Sequence, residues 1–140
     1  MRTVAWLTLI TLAGTGCIKK ASERVDPAFK THHFKTIAII AGGSRGNDAF
    51  MTTRARDRVR KANVVTVVSV NGKWESEPDV KKAVCGPEQT PPLDGFVVVE
   101  GDHLTLWDCG TGKVAWEADG GYEGVDYMTN KLLEYLKTST

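Results

Sequence analysis

The sequence predicts a single α/β (α+β) domain with a mixed sheet of about five strands, preceded by an export signal. Two observations lead to this fold class. Apolar runs rich in β-branched residues alternate with amphipathic segments of helical period. The last three apolar runs are separated only by short glycine-containing turns, which is typical of an antiparallel meander. The net charge of +1 gives no overall argument for binding nucleic acid or acidic substrates.

The N-terminal residues predict export. Arg2 gives a positive start, an apolar run spans residues 4–13, and small residues precede Cys17, as in a signal peptide. Gly16-Cys17 also resembles a bacterial lipoprotein signal, although Leu12 lies further from the cysteine than that family's leucine. The resemblance implies cleavage after residue 16 and acylation of Cys17 by a fatty acid such as palmitate. Cleavage to a soluble periplasmic protein is the alternative.

Residues 17–33 are polar and have no apolar periodicity, so we expect a lipid-anchored tether with a partial helical turn. In the lipoprotein family, Ile18 after the cysteine points to the outer membrane rather than the inner one. His32 and His33 could together ligate a metal ion. Because adjacent residues in a strand point to opposite sides, we expect two solvated histidines instead.

The domain, residues 34–140, begins with a β-α-β unit. Residues 36–41 are apolar without alternation, which indicates a strand covered on both faces. Residues 48–61 carry an apolar stripe of helical spacing, and residues 64–70 form the next β-branched run. A strand, a crossover helix and a second strand form a parallel, right-handed unit.

The rest of the domain is predicted as a short helix, three strands and a long helix. Ser76 can cap the short helix and Gly86 ends it. The complete predicted order is β-α-β-α-β-β-β-α. The strands are placed at residues 95–100, 103–108 and 113–118, and the final helix at 124–137.

The late hairpin carries a family resemblance. A strand such as Leu104–Asp108 turns through a glycine-containing loop into Gly112–Trp116. With the leader and the early strand, this resembles the N-terminal domain of TolB, the CsgG-type lipoproteins and the lipoprotein activators of penicillin-binding proteins. The resemblance implies a non-enzymatic role in envelope assembly, secretion or cell-wall regulation, with an envelope protein as partner. The resemblance identifies no functional residue in this chain.

The turn after the first strand is a candidate ligand site. Backbone N–H groups before a helix favour anions, and an arginine there could close over a phosphate. A plain turn is the alternative, since the glycine spacing fits no nucleotide-binding motif. If the turn binds a ligand, the domain is a periplasmic module for small molecules or anions. The residues are Gly42, Gly43, Ser44, Arg45 and Gly46.

A basic stripe is the second candidate site. Arg54, Arg58 and Lys61 share one face of the first predicted helix, and Asp57 offsets only part of their charge. We expect the patch to stay net positive and to meet an acidic partner or anionic lipid headgroups. A solvated helix face is the alternative.

No residue pattern indicates catalysis, a cofactor or a metal site, so we expect a protein that is not an enzyme.

The cysteines give a candidate disulfide. If Cys17 carries lipid, Cys85 and Cys109 remain as an even pair in an oxidising compartment. They are either bridged or two free thiols.

Overall fold

A computed structural model describes residues 20–42, 46–70, 77–121 and 123–138. These residues form six strands, three α-helices and one short 3₁₀ helix, Pro27–Phe29. The strands are β1 Ser22–Val25, β2 Thr36–Ala41, β3 Thr66–Val68, β4 Gly95–Glu100, β5 His103–Asp108 and β6 Val114–Asp119. The helices are α1 Gly46–Ala62, α2 Glu77–Val84 and α3 Gly124–Lys137.

All six strands belong to one mixed sheet in the order β1-β6-β5-β4-β2-β3. β2 pairs in parallel with β3 and β4, and the remaining pairs are antiparallel. The predicted α/β class and the parallel β2-α1-β3 unit are therefore confirmed. Ile37 to Ile40 are buried on both faces of the sheet, as the absence of polar alternation predicted.

The sixth strand corrects the prediction of about five strands and of a tether up to residue 33. Ser22 pairs with Asp119 and Val25 with Trp116, so β1 covers the edge of β6. An uncovered β6 would present unpaired N–H and C=O groups. The first three residues of β1 are exposed and polar, so the strand has no apolar alternation that could reveal it.

The larger core lies on the sheet face covered by α1 and α3. On α3, Met128, Leu132 and Leu136 are buried and Val125 is half-buried, as the helical spacing predicted. On α1 the predicted stripe holds at Ala55 and Val59, with Met51 half-buried, but Ala62 is exposed at the end of the helix. Burial of each large apolar side chain contributes about 1.5–3 kcal/mol.

The smaller core lies on the opposite face beneath α2. Ala38, Ile40 and Phe96 of the sheet pack with Val84 of α2 and Leu93 of the following loop. The partly buried residues packed against this cluster include Trp107 of β5, Cys85 and Cys109.

Strand register defines two ends of the domain. We call "upper" the end where β2, β4 and β6 finish, because Ala41 lies beside Val99, and Glu100 pairs with His103, which pairs with Asp119. β1 starts at this end, and so do α1 and α3, which return antiparallel to the strands they follow. The opposite, "lower" end carries the last residues of α1 and α3.

Candidate functional site

Cys85 and Cys109 form a disulfide. Cys85 follows α2 and Cys109 follows β5, and their Cα atoms are 5.3 Å apart, inside the range that a disulfide spans. The backbone N–H of Cys85 donates to the carbonyl oxygen of Lys81, and that of Cys109 to Asp94, at 3.0 and 2.9 Å. The chain reversals at both element ends therefore bring the two sulfurs together, which is the bridged alternative of the sequence analysis.

The disulfide belongs to the smaller core. Cys85, Cys109 and Trp107 pack against the buried cluster beneath α2, and the ring of Trp107 stacks on Phe96 with centroids 6.4 Å apart. The Nζ atom of Lys81 lies 3.8 Å from the centre of the Trp107 ring, a cation–π contact. The bridge thus fastens α2 to the end of β5, on the face where the helix cover is thinnest.

The arginines of the predicted basic stripe are engaged within the domain. The Arg54 side chain makes two hydrogen bonds, at 2.8 and 2.7 Å, to the carboxylate of Asp126 on α3. Arg58 reaches the same carboxylate at 2.9 Å and the side chain of Asn130. The hydrogen bond from Arg54 is the main cause that lowers the pKa of Asp126 below its usual range, while partial desolvation opposes it. Asp126 thus offsets part of the charge of these two arginines, and the three residues stay net positive even with Asp57 counted. The partner-surface hypothesis stays a prediction.

The acid that pairs with them comes from a different helix. Asp57 was the only acid that the sequence placed among these basic residues, whereas the packing of α3 against α1 supplies Asp126. Lys61, the third member, is exposed at the lower end. Two neighbouring arginines also bond within the domain, Arg56 to the carbonyl oxygen of Ile39 and Arg60 to the hydroxyl of Ser69.

The glycine turn is described only in part. A Cβ atom at Gly42 would collide with the side chains of Glu100 and Val98, so glycine is required there by packing. Gly46 begins α1, while Gly43, Ser44 and Arg45 lie outside the described residues. The anion-site hypothesis therefore stays a prediction, and Gly42 has a structural reason to be glycine without it.

His32 corrects another expectation. It is buried, whereas two solvated histidines were predicted, and only His33 is exposed. The His32 Nε2 atom donates to the carbonyl oxygen of Tyr135 at 2.8 Å, and the Nδ1 atom lies 3.4 Å from the Phe34 N–H. Burial lowers the pKa of His32, and the charge of His33 adds to this, although the bond to the Tyr135 carbonyl opposes it.

Tyr135 joins the N-terminal segment to α3 in a second way. Its hydroxyl donates to the carbonyl oxygen of Phe29 at 2.8 Å, and its ring lies 4.3 Å from that of His32, centre to centre. Burial raises the pKa of Tyr135 to about 12, with smaller effects from the carboxylates of Asp108 and Asp26. The aromatic residues of segment 29–34 were the signal in the sequence that this stretch packs against the domain.

Cavities and metal ligands give no further site in the described part of the chain. A groove of about 280 Å³ lies between β1 and β6, beside the ion pair of Arg24 and Glu117. This volume is at the lower limit of ordinary ligand pockets, about 300 Å³. Among the described residues, no group of three or more His, Cys, Asp or Glu side chains could hold a metal ion. No helix in the same residues is long and apolar enough to cross a membrane.

Comparison with known proteins identifies the fold but no family. No family model and no curated protein matches the sequence. The chain is similar to a PelC dodecamer from Paraburkholderia phytofirmans, with 12% identity and a TM-score of 0.48, over 84% of this chain and 96% of that one. A single-residue variant of the same protein gives 11% identity and a TM-score of 0.50, over 85% and 98%. At such identity the likeness shows the fold alone.

The matching structures belong to a different family from those that the hairpin resembles. PelC is neither TolB, a CsgG-type lipoprotein nor an activator of penicillin-binding proteins, and no family model or curated protein supports those three. That resemblance, with the envelope role that it implies, therefore stays a hypothesis.

Proposed function

We propose that this chain is an exported envelope protein, anchored by lipid at Cys17 in the outer membrane and facing the periplasm. Its α/β domain binds another envelope component in assembly, secretion or cell-wall regulation and performs no catalysis. The observation that carries the proposal is the pairing of Cys85 with Cys109. It supports the export that the leader predicts, because structural disulfides persist in oxidising compartments such as the periplasm.

The chemistry of the described residues supports a binding role over an enzymatic one. Perturbed pKa values cluster at active sites, so their location is informative. Here four of the five shifted groups hold elements together: His32 and Tyr135 join the N-terminal segment to α3, and Arg54 and Asp126 join α1 to α3. The fifth, Lys131, pairs with Glu134 on the surface of α3. None of these four lines the groove between β1 and β6.

The first partner to test is a second copy of this chain. A solved structure with this fold is a PelC dodecamer, and within the described residues β1 and β3 each pair on one side only. Two unlike free edges can join head to tail, and such heterologous contacts close into rings when the rotation allows it. Light scattering of the detergent-solubilised mature protein measures this directly, and a monomer at all accessible concentrations would direct the search to another protein.

The anchor is tested by fatty-acid labelling in a bacterial host with a lipoprotein pathway. The wild-type chain should incorporate a labelled fatty acid and sediment with membranes, whereas Cys17→Ser should remain unlabelled. Cys85→Ser with Cys109→Ser is the matched control and should be labelled like the wild type. Label in the Cys17→Ser protein, or none in the wild type, would contradict the proposed anchor.

The partner is tested by affinity capture from native membranes. A defined envelope partner that is still captured by Arg45→Ala supports protein binding. Calorimetry with phosphorylated small molecules tests the alternative function, the anion-binding turn. Tight binding that Arg45→Ala abolishes would replace the first proposal with the second.

A further inference from the structure

We infer that the lipid-anchored domain stands with its upper end against the bilayer and places Phe50 in the lipid interface. The inference deepens the proposed function, since it rests on acylation of Cys17. It assigns one surface of the domain to one occupant, the membrane that carries the anchor. Three features of the chain lead to it: the length of the anchor segment, the end of the sheet at which that segment enters, and the exposed side chain at that end.

The segment between the anchor and the sheet is short. Only four residues, 18–21, separate Cys17 from Ser22, the first residue of β1. A fully extended chain spans at most about 3.6 Å per residue, so the Cα atom of Ser22 lies within about 18 Å of the acylated cysteine. A flexible tether up to residue 33 would have imposed no such limit, but β1 is paired with β6 and cannot extend it.

The entry point is at the upper end. Ser22 pairs with Asp119, the last residue of β6, so β1 enters the sheet at the upper end and runs toward the lower one. The same end carries the start of α1, which follows the last residue of β2. With the upper end against the bilayer, the starts of α1 and α3 face the membrane and the lower end points into the periplasm.

Phe50 lies on this end. It is the fifth residue of α1, about 6 Å along the axis from the helix start. Its side chain is 67% exposed, and it is the one large apolar side chain so exposed among the described residues. Single exposed apolar residues are common on soluble proteins. An aromatic ring at the membrane-facing end has, in addition, a favourable place at the level of the lipid headgroups.

The charges of the two ends do not favour this orientation by themselves, so the inference assigns it to the tether rather than to charge attraction. Acidic side chains lie at the upper end, and exposed lysines lie at the lower end. Attraction to anionic headgroups alone would turn the lower end toward the membrane. The contact at the upper end should therefore be strongest on zwitterionic lipid. The upper-end acids are Glu100, Asp102, Asp119 and Glu123, opposed by Lys20, and the lower-end lysines are Lys30, Lys35, Lys61, Lys113 and Lys137, opposed by Asp26, Asp94 and Asp108.

Bromolipid quenching tests the orientation. Phe50→Trp and Lys113→Trp each add one indole at an exposed position, at the upper and the lower end respectively. The full-length chains are expressed, processed and acylated in the host, then reconstituted in phosphatidylcholine vesicles with or without bromines near the headgroup end of the acyl chains. Emission is compared with that of the acylated wild type. The added indole of Phe50→Trp should lose emission in brominated vesicles, and that of Lys113→Trp should not.

A spacer variant tests whether the short segment 18–21 holds the upper end at the membrane. About twelve Gly and Ser residues inserted after Ala21 add about 20 Å of root-mean-square reach. Quenching of Phe50→Trp should then fall. Unquenched Phe50→Trp in a chain that carries the fatty acid would overturn the inference and leave the anchor standing. Quenching that persists with the spacer would overturn the role of the short segment. A chain without fatty acid would overturn the proposed function itself.

Discussion

The Nε2 atom of His32 lies 2.8 Å from the carbonyl oxygen of Tyr135, a contact between residues 103 positions apart in the chain. A carbonyl oxygen can only accept, so Nε2 carries the proton and Nδ1 is left to accept from the N–H of Phe34. The neutral ring is therefore satisfied on both sides. A second proton on His32 would remove the acceptor and place a charge in a buried site.

The first prediction is that the stability of the domain decreases as the pH falls through about 6.5, the ordinary pKa of histidine. Because the pKa of His32 is lowered by folding, the unfolded chain binds the proton more readily, and acid favours unfolding until the native pKa is reached. His32→Phe should flatten this pH dependence. It should also lose about 1 kcal/mol at neutral pH, because one hydrogen bond is removed.

This loss of stability should remain modest, because the Tyr135 carbonyl oxygen still accepts two hydrogen bonds. They come from the N–H and the hydroxyl of Thr138, at 3.1 and 2.6 Å. Urea unfolding between pH 5 and 8 provides the measurement. His33→Gln alters the neighbouring exposed histidine and is the matched control. Its pH dependence should stay close to that of the wild type, because His33 is the smallest of the causes that shift the pKa of His32. An unchanged pH slope in His32→Phe would show that another group titrates.

The second prediction concerns the carboxylate shared by two arginines. Arg54→Ala should raise the pKa of Asp126 toward its ordinary value, because the Arg54 hydrogen bond is the largest cause of the shift. Arg58→Ala should raise it less, and Lys61→Ala should leave it unchanged. Carboxyl-carbon NMR titration measures all three. Equal effects of Arg54→Ala and Lys61→Ala would mean that general charge, not the contact, sets the pKa.

The same pair changes what a charge reversal should do. Lys61→Glu alters an exposed position and should change stability by no more than about 0.5 kcal/mol. Arg54→Glu and Arg58→Glu would each set an acid beside Asp126 and should loosen α1 from α3, so a triple variant that also carries Lys61→Glu should be destabilised. Loss of partner binding in the triple variant is therefore interpretable only beside Lys61→Glu alone.

The third prediction is that Cys85→Ser with Cys109→Ser lowers the free energy of unfolding by about 3 kcal/mol, the value expected for a loop of this length in the chain-entropy model. Denaturant unfolding of the non-reduced wild type and of the double variant gives the difference. Wild-type protein from the periplasm should resist thiol alkylation when denatured without reductant. Full alkylation of both cysteines there would show that the bridge does not form in the cell.

The fourth prediction separates the structural role of Gly42 from a ligand role. Gly42→Ala should destabilise by about 1–3 kcal/mol, the usual cost of forcing an extra methyl group into packed surroundings, since the new methyl group meets Val98 and Glu100. Gly110→Ala is the control, because the nearest atom there is an Asp108 carboxylate oxygen at 3.5 Å, an ordinary contact. Equal thermal stability of the two variants would contradict the packing argument.

Much of the fold could be predicted because it depends on local patterns. Apolar runs placed β2 and β4, helical spacing placed α3 from Gly124 to Lys137, and glycine turns placed the hairpins. β1 was missed because an exposed edge strand needs no apolar residues. Its place follows from the need of β6 for a neighbour, which is a property of the assembled sheet.

The candidate site was less predictable because its contacts join distant segments. The sequence showed that Arg54 and Arg58 share a helix face, but Asp126 lies 72 positions from Arg54. Likewise, His32 resembles any polar residue before a strand until the end of α3 covers it. The cysteine pair could be stated as two alternatives, since parity and compartment favour a bridge while only geometry decides it.

If the chain is exported as proposed, the pairing of β1 with β6 has a consequence for the order of events during export. Every residue of β1 pairs with a residue between Trp116 and Asp119, and the His32 side chain forms a hydrogen bond with the Tyr135 carbonyl. The first segment of the domain to cross a membrane is thus among the last to form its native contacts. Contacts of such long sequence separation slow folding. We expect the chain to stay largely unfolded until nearly all of it has been translocated. β1 can then pair with β6, and the segment that contains His32 can pack against α3.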